Sequence, residues 1–172
     1  GLTMPDILLL PQLAGFFGVT VDFLLGYEAQ LSGEQIRRRY LELCEGFARL
    51  PFSEAMEQVH SLVRRYYACY PFLLQVCVLY LNHFMLAERE EEGRQILEDG
   101  VRLCERILEE CRDAGVCQDA EALKAVLLLR LGRAEAVIEI LEPVSDLSRV
   151  SWQSGTVLIQ AYCMAGKTEL AE

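Results

Sequence analysis

The longest apolar run in the chain is Phe72 to Ala87, FLLQVCVLYLNHFMLA, interrupted only by Gln75, Asn82 and His83. A helix apolar on every side has to be buried on every side. At sixteen residues the run falls short of the roughly 20 needed to cross a bilayer. It therefore predicts the inner helix of a layered, soluble, all-helical protein. Gln75, Leu79, Asn82 and Leu86 line up on one face of it, since side chains three and four apart are neighbours on a helix. That polar seam either satisfies buried hydrogen-bond partners or looks into a concave pocket.

Long amphipathic helices surround this segment. Ser32 with Gln35 fits a capping box, followed by a stripe of Ile36, Tyr40, Leu43, Phe47 and Leu50 that Pro51 stops. Ser53 is placed to cap a helix carrying Met56, Val59, His60, Val63, Tyr66 and Tyr67 as far as Cys69. Tyr70-Pro71 then forces a bend into the central helix, which makes an αα-hairpin. After the acid-rich break at Glu88 to Glu92, a further helix spans Glu91 to Arg112 on Ile96, Leu97, Val101, Cys104, Leu108 and Cys111, with Gly115 closing it.

The N-terminal 28 residues follow a different rhythm. Gly1 to Asp6 reads as a turn and Ile7 to Phe17 as a short apolar run stopped by Gly18, whose helix, with Pro11 inside it, either begins late, near Leu10, or loses one early backbone bond. Thr20 can cap a second short helix, Val21 to Leu25, ended by Gly26. Two such short helices cannot bury their apolar faces alone. Thr3-x-Pro5-Asp6, Leu13-Ala14, Phe17-Gly18-Val19 and Asp22-x-Leu24-Leu25-Gly26 resemble, in this order, the last two helices of the helix-turn-helix domain in the XRE (Cro/repressor-like) regulators of bacteria. In that family the DNA-reading helix precedes the Gly1 turn, so the resemblance implies a longer parent protein whose missing helices supply the basic surface.

Near the C-terminus the chain repeats. Leu127 to Ala136 can be laid on Ala161 to Ala171, with Gly132 and Gly166 separated by 34 residues, the tetratricopeptide period. Each Gly permits a tight turn, and Ala136 and Ala171 permit close packing after it. The second copy keeps the Gly-to-Ala spacing associated with the tetratricopeptide family; the first is one residue shorter, and Pro143 makes its second helix brief. The array resembles that family and breaks off at Glu172 inside an expected helix, a second sign of a longer parent. The fold class predicted is all-α: a tetratricopeptide-like αα-hairpin superhelix over residues 32–172, preceded by the helix-turn-helix remnant at 1–28.

Composition narrows the function classes. Apolar residues make up 52% of the chain, which excludes a disordered polymer. The 26 acidic residues outnumber the 16 basic ones, for a net charge of −10, so the chain itself repels phosphate backbones and anionic membranes. Arg37-Arg38-Arg39 invites a nucleic-acid reading, but Glu34, Glu42 and Glu45 surround it and favour a solvated helix face. The seven cysteines are odd in number, lack metal-ligand spacing and sit where a small apolar residue serves, as reduced core thiols do. His60 and His83 have no ligand-like neighbours. Gly166-Lys167-Thr168 imitates a phosphate loop but has Ala161 where that motif requires Gly. No catalytic motif, metal site or cofactor site emerges, and the chain reads as a non-enzyme.

Together the two resemblances imply a cytoplasmic, dimeric bacterial transcription regulator. DNA would be held through the absent N-terminal helices and a peptide or protein effector on the helical repeats. The alternative is an interaction adaptor with no DNA role. Tyr66, Tyr70, Asn82 and His83 are the candidate effector-binding residues, Asn82 foremost because one amide both donates and accepts. Packing and buried hydrogen bonding are the competing roles for all four.

Overall fold

The computed structural model describes residues 7–25, 30–142 and 152–167. Among them all regular structure is helical. Thr3, Pro5, Asp6, Gly26, Pro143 and the segment Thr168 to Ala171, on which parts of both resemblances rest, lie outside the described residues.

A single turn of 3-10 helix, Ile7–Leu9, leads into α1 (Leu10–Phe17). Pro11 occupies the first turn, where a missing N–H costs nothing. Gly18 ends α1 as expected: its φ of 65° is left-handed, and the following Val19 N–H donates back to the Ala14 carbonyl at 3.0 Å. The next helix, α2 (Val21–Leu24), is one residue shorter than predicted.

The helix α3 (Gly33–Arg49) carries the predicted capping box in full. Ser32 N–H donates to Gln35 Oε1 at 2.7 Å, and Gln35 N–H to Ser32 Oγ at 3.2 Å. Three boundaries differ from the sequence expectation. Because Pro51, with its fixed φ, starts α4 (Phe52–Arg65) directly, Ser53 lies inside the helix rather than capping it. The same helix stops at Arg65, with Tyr66 as its cap, and does not reach Cys69. The inner helix α5 (Tyr70–His83) takes Tyr70 and Pro71 as its first turn, where proline is tolerated.

The far end of the apolar run departs most. After His83 the chain tightens into a 3-10 turn, Phe84–Leu86, and Ala87 is extended. Phe72, Leu73, Leu74, Val76, Cys77, Leu79 and Tyr80 are buried, but Met85 is 81% exposed and Leu86 is exposed as well. All-round burial thus holds for about the first three turns of the run and fails for its last residues. The helix α6 (Glu90–Glu110) follows, its first turn holding Glu90, Glu91 and Glu92, where carboxylates complement the helix dipole. Gly115 does not close α6. The break comes earlier, and Gly115 lies in the first turn of α7 (Ala114–Arg130), where Asp113 accepts from Gly115 N–H at 2.8 Å and Val116 N–H at 3.1 Å.

Two helices complete the described chain, the brief α8 (Ala134–Leu141) and α9 (Trp152–Met164). Gly132 and Gly166 have φ of 76° and 73°. Arg133 N–H donates to Leu128 O and Lys167 N–H to Tyr162 O, both at 2.9 Å. The same cap is therefore built twice, 34 residues apart, as the sequence repeat requires.

Consecutive helices from α3 to α9 pack on one another, and α3 meets α5, α5 meets α7 and α7 meets α9. Tyr70 reaches Glu110 while Cys77 reaches Gly100, so α6 runs back along α5. Lys124 pairs with Glu105 and Arg133 with Glu98, so α7 runs back along α6. The interior divides into two clusters. One gathers Ile36, Leu43, Val59, Phe72, Val76 and Ile107; the other gathers Cys77, Leu97, Cys104, Leu127, Val137 and Ala161. Val76 and Cys77, adjacent in α5, fall in different clusters, so this helix is shared by both. No residue of α1 belongs to either cluster, and Ile7, Leu8, Phe16, Phe17 and Leu25 are exposed. No helix among the described residues is long and apolar enough to cross a membrane.

Candidate functional site

The four residues singled out by sequence occupy three separate environments. Tyr66 is buried in the first cluster, its ring edge-on to Phe72 at 5.6 Å, with the Arg65 guanidinium 5.4 Å from the ring centroid. Tyr70 opens α5, and its hydroxyl donates to Glu110 Oε2 at 3.2 Å. Burial and then that carboxylate push the Tyr70 hydroxyl pKa up. Asn82 and His83 lie about 18 Å further along α5, at 1.5 Å of rise per residue. Asn82 is exposed, and its Nδ2 donates to the Tyr40 hydroxyl at 3.2 Å. His83 stacks on Phe47 with centroids 4.5 Å apart, and its Nδ1 lies 2.9 Å from the Leu79 carbonyl. That contact requires the ring proton on Nδ1. The two tyrosines and the Asn82–His83 pair therefore do not converge on one point.

A different set of residues does. Two concavities open between alternate helices. One of about 500 Å³ lies between α3 and α5, lined by Ile36, Arg37, Tyr40, Leu41, Pro71 and Gln75. Another of about 370 Å³ lies between α5 and α7, lined by Leu74, Gln75, Val78, Asp119, Leu123 and Val126 among others, and reaches Val157 of α9. Gln75 belongs to both and joins them into a groove that crosses three helices. The polar seam of the inner helix does look outward into a cleft at this residue, while Leu79, placed on the same seam, is fully buried.

The groove's polar groups stand apart from the ion pairs around them. Arg38 pairs with Glu34 at 3.9 Å, Arg39 with Glu42 at 2.7 Å and Arg49 with Glu45 at 3.6 Å. These pairs account for most of the solvated face expected around the tri-arginine. Arg37, Gln75 and Asp119 have no hydrogen bond or ion pair among the described residues. Besides the Tyr40 hydroxyl, which accepts from Asn82, the groove offers one unpaired cation, one unpaired amide and one unpaired carboxylate among the described residues, along mostly aliphatic walls. A third concavity of about 310 Å³, at the turn between α5 and α6, is lined by Phe84, Met85, Arg89, Arg94, Leu97 and Arg130. There Arg89 is already engaged by Glu92.

The seven cysteines are free thiols, with Cys69, Cys77 and Cys104 fully buried and Cys163 exposed. Contact with Cys104, and burial after it, pushes the Cys77 thiol pKa well up. No group of three or more His, Cys, Asp or Glu side chains is placed to hold a metal among the described residues. Sequence reasoning had put Gln75 on the right face. It missed Arg37, which looked like one more solvated charge, and Asp119, which no local pattern marks. No protein-family model, curated protein or solved structure matches the chain.

Proposed function

We propose that the chain is the partner-binding and dimerising part of an XRE-type bacterial transcription regulator. In this reading α3 to α9 form a tetratricopeptide-like superhelix of αα-hairpins that binds a peptide or protein effector. The helices α1 and α2 are the last two of a helix-turn-helix domain whose DNA-reading helices lie outside the sequence described. The observation that carries the reading is the contrast between its two parts. The helices α3 to α9 gather both core clusters, while over residues 7–25 Ile7, Leu8, Phe16, Phe17 and Leu25 are exposed, as in helices taken from a larger bundle. The recurrence of one glycine cap at the 34-residue period supports the repeat assignment.

The mechanism follows from rigid packing. An effector seated across α3, α5 and α7 bridges alternate helices and biases their spacing. In a symmetric dimer that change alters the separation of two DNA-binding heads. With a net charge of −10, residues 1–172 alone should not retain duplex DNA. The protein from the complete reading frame should enrich, from a random duplex library, paired half-sites about 10 base pairs apart, with binding that falls steeply as salt rises. Failure to enrich any sequence overturns the regulator reading in favour of an adaptor with no DNA role.

A further inference from the structure

We infer that Arg37, Gln75 and Asp119 set the specificity of the groove, selecting an extended segment of a partner polypeptide that carries a basic and an acidic side chain about six residues apart. This rests on the reading of the repeat region as a partner-binding domain and is independent of the DNA role. Arg37 shares one concavity with Gln75, and Gln75 shares the other with Asp119. They form a row across the helices. With packed helices about 8–10 Å apart, the row spans on the order of 20 Å. An extended chain at about 3.3 Å per residue covers that with roughly six residues.

Charge complementarity orders the occupant. An acidic side chain belongs beside Arg37 and a basic one beside Asp119, since neither charge is met within the described chain. Between them Gln75, a half-buried amide with no internal partner, can accept a main-chain N–H and donate to a main-chain carbonyl. Leu74, Val78, Leu123 and Val126 offer an aliphatic wall beside it for one apolar side chain. Arg37 and Asp119 are both exposed, and the lining continues past Asp119 onto Val157. No wall closes the groove at either charge, which favours a segment continuing in both directions over a free peptide ending there.

The test is affinity selection of a decapeptide library, blocked at both termini, on the whole chain and on three variants whose fold is checked by circular dichroism. The chain should enrich peptides pairing one acidic with one basic position around an apolar residue. Arg37→Glu should replace the acidic preference by a basic one, and Asp119→Lys the basic by an acidic one, each weakening the original pool several-fold. Gln75→Ala should weaken the whole pool by about three- to tenfold without altering its charge pattern. Both charged positions are exposed, so these variants retain the fold. A pool that binds but ignores all three substitutions overturns the groove assignment and leaves the partner-binding reading standing. Enrichment of no peptide at all overturns both.

Discussion

Gly46, Gly93 and Gly100 lie within long helices, and replacing each by alanine should give a different result. Gly46 lies in α3; Gly93 and Gly100 lie in α6. Alanine gains up to about 1 kcal/mol over glycine inside a helix when nothing obstructs it. A Cβ at Gly46 meets only the flexible end of Gln58, at 3.4 Å, so Gly46→Ala should stabilise by about 0.5–1 kcal/mol. At Gly93 the same atom falls 2.8 Å from the Phe84 carbonyl oxygen. That carbonyl already accepts from Ala87 N–H at 3.3 Å, so it cannot swing aside without opening the turn between α5 and α6. Forcing a methyl into such a contact costs about 1–3 kcal/mol, which outweighs the small propensity gain in a first helical turn. Gly100 is intermediate, since its Cβ would meet the Leu127 side chain at 3.1 Å, and a side chain can rotate where a backbone cannot. Urea titrations followed by far-ultraviolet circular dichroism should place Gly93→Ala below wild type and Gly46→Ala above it, with unchanged slopes. In thermal melts each kcal/mol corresponds to about 2–4 °C for a chain of this size. Gly93→Ala as stable as Gly46→Ala would refute the close approach of α6 to the Phe84 turn.

Other consequences are checked by similar means. Ser32→Ala removes half of the capping box and should destabilise by about 1 kcal/mol, with little effect if α3 starts elsewhere. Burial, with Asp99 and Cys77 adding to it, pushes the Tyr80 hydroxyl pKa far above its usual value. The unfolded chain releases that proton above about pH 10 and the folded one keeps it, so stability is intact below this pH and falls as pH rises beyond it. Tyr80→Phe should reduce the alkaline loss, and an undiminished loss would count against a buried hydroxyl. An aromatic disulfide reagent should modify Cys163 within the native protein, whereas Cys69, Cys77 and Cys104 should react only at the rate of unfolding. Rapid labelling of all seven thiols would contradict the burial of those three.

The parts of the fold that sequence disclosed are those decided within a few residues. Ser32 and Gln35 satisfy one another across a single turn, and Gly18, Gly132 and Gly166 adopt left-handed backbone where a Cβ is penalised. What escaped was decided by distant partners. Nothing near Met85 marks the end of α5, because the turn there is shaped by Gly93 closing on Phe84. Gly115 resembled a helix stop, yet Asp113 two residues earlier claims its N–H and starts α7 instead. The candidate site shows the same division. Gln75 was visible as a break in an apolar run, but it shares concavities with Arg37 and Asp119 only once α3, α5 and α7 stand side by side.

The separation of α1 from both core clusters has a thermodynamic corollary. Whatever covers the side chains of Ile7, Phe16 and Phe17 can dock or depart without the rest of the protein losing cohesion, because no side chain of α1 sits in either cluster. Coupling between α1 and the remainder then passes through its packed neighbour α2 rather than through a shared interior. The front helices can thereby exchange neighbours on a free-energy scale of their own, small against that of melting the whole.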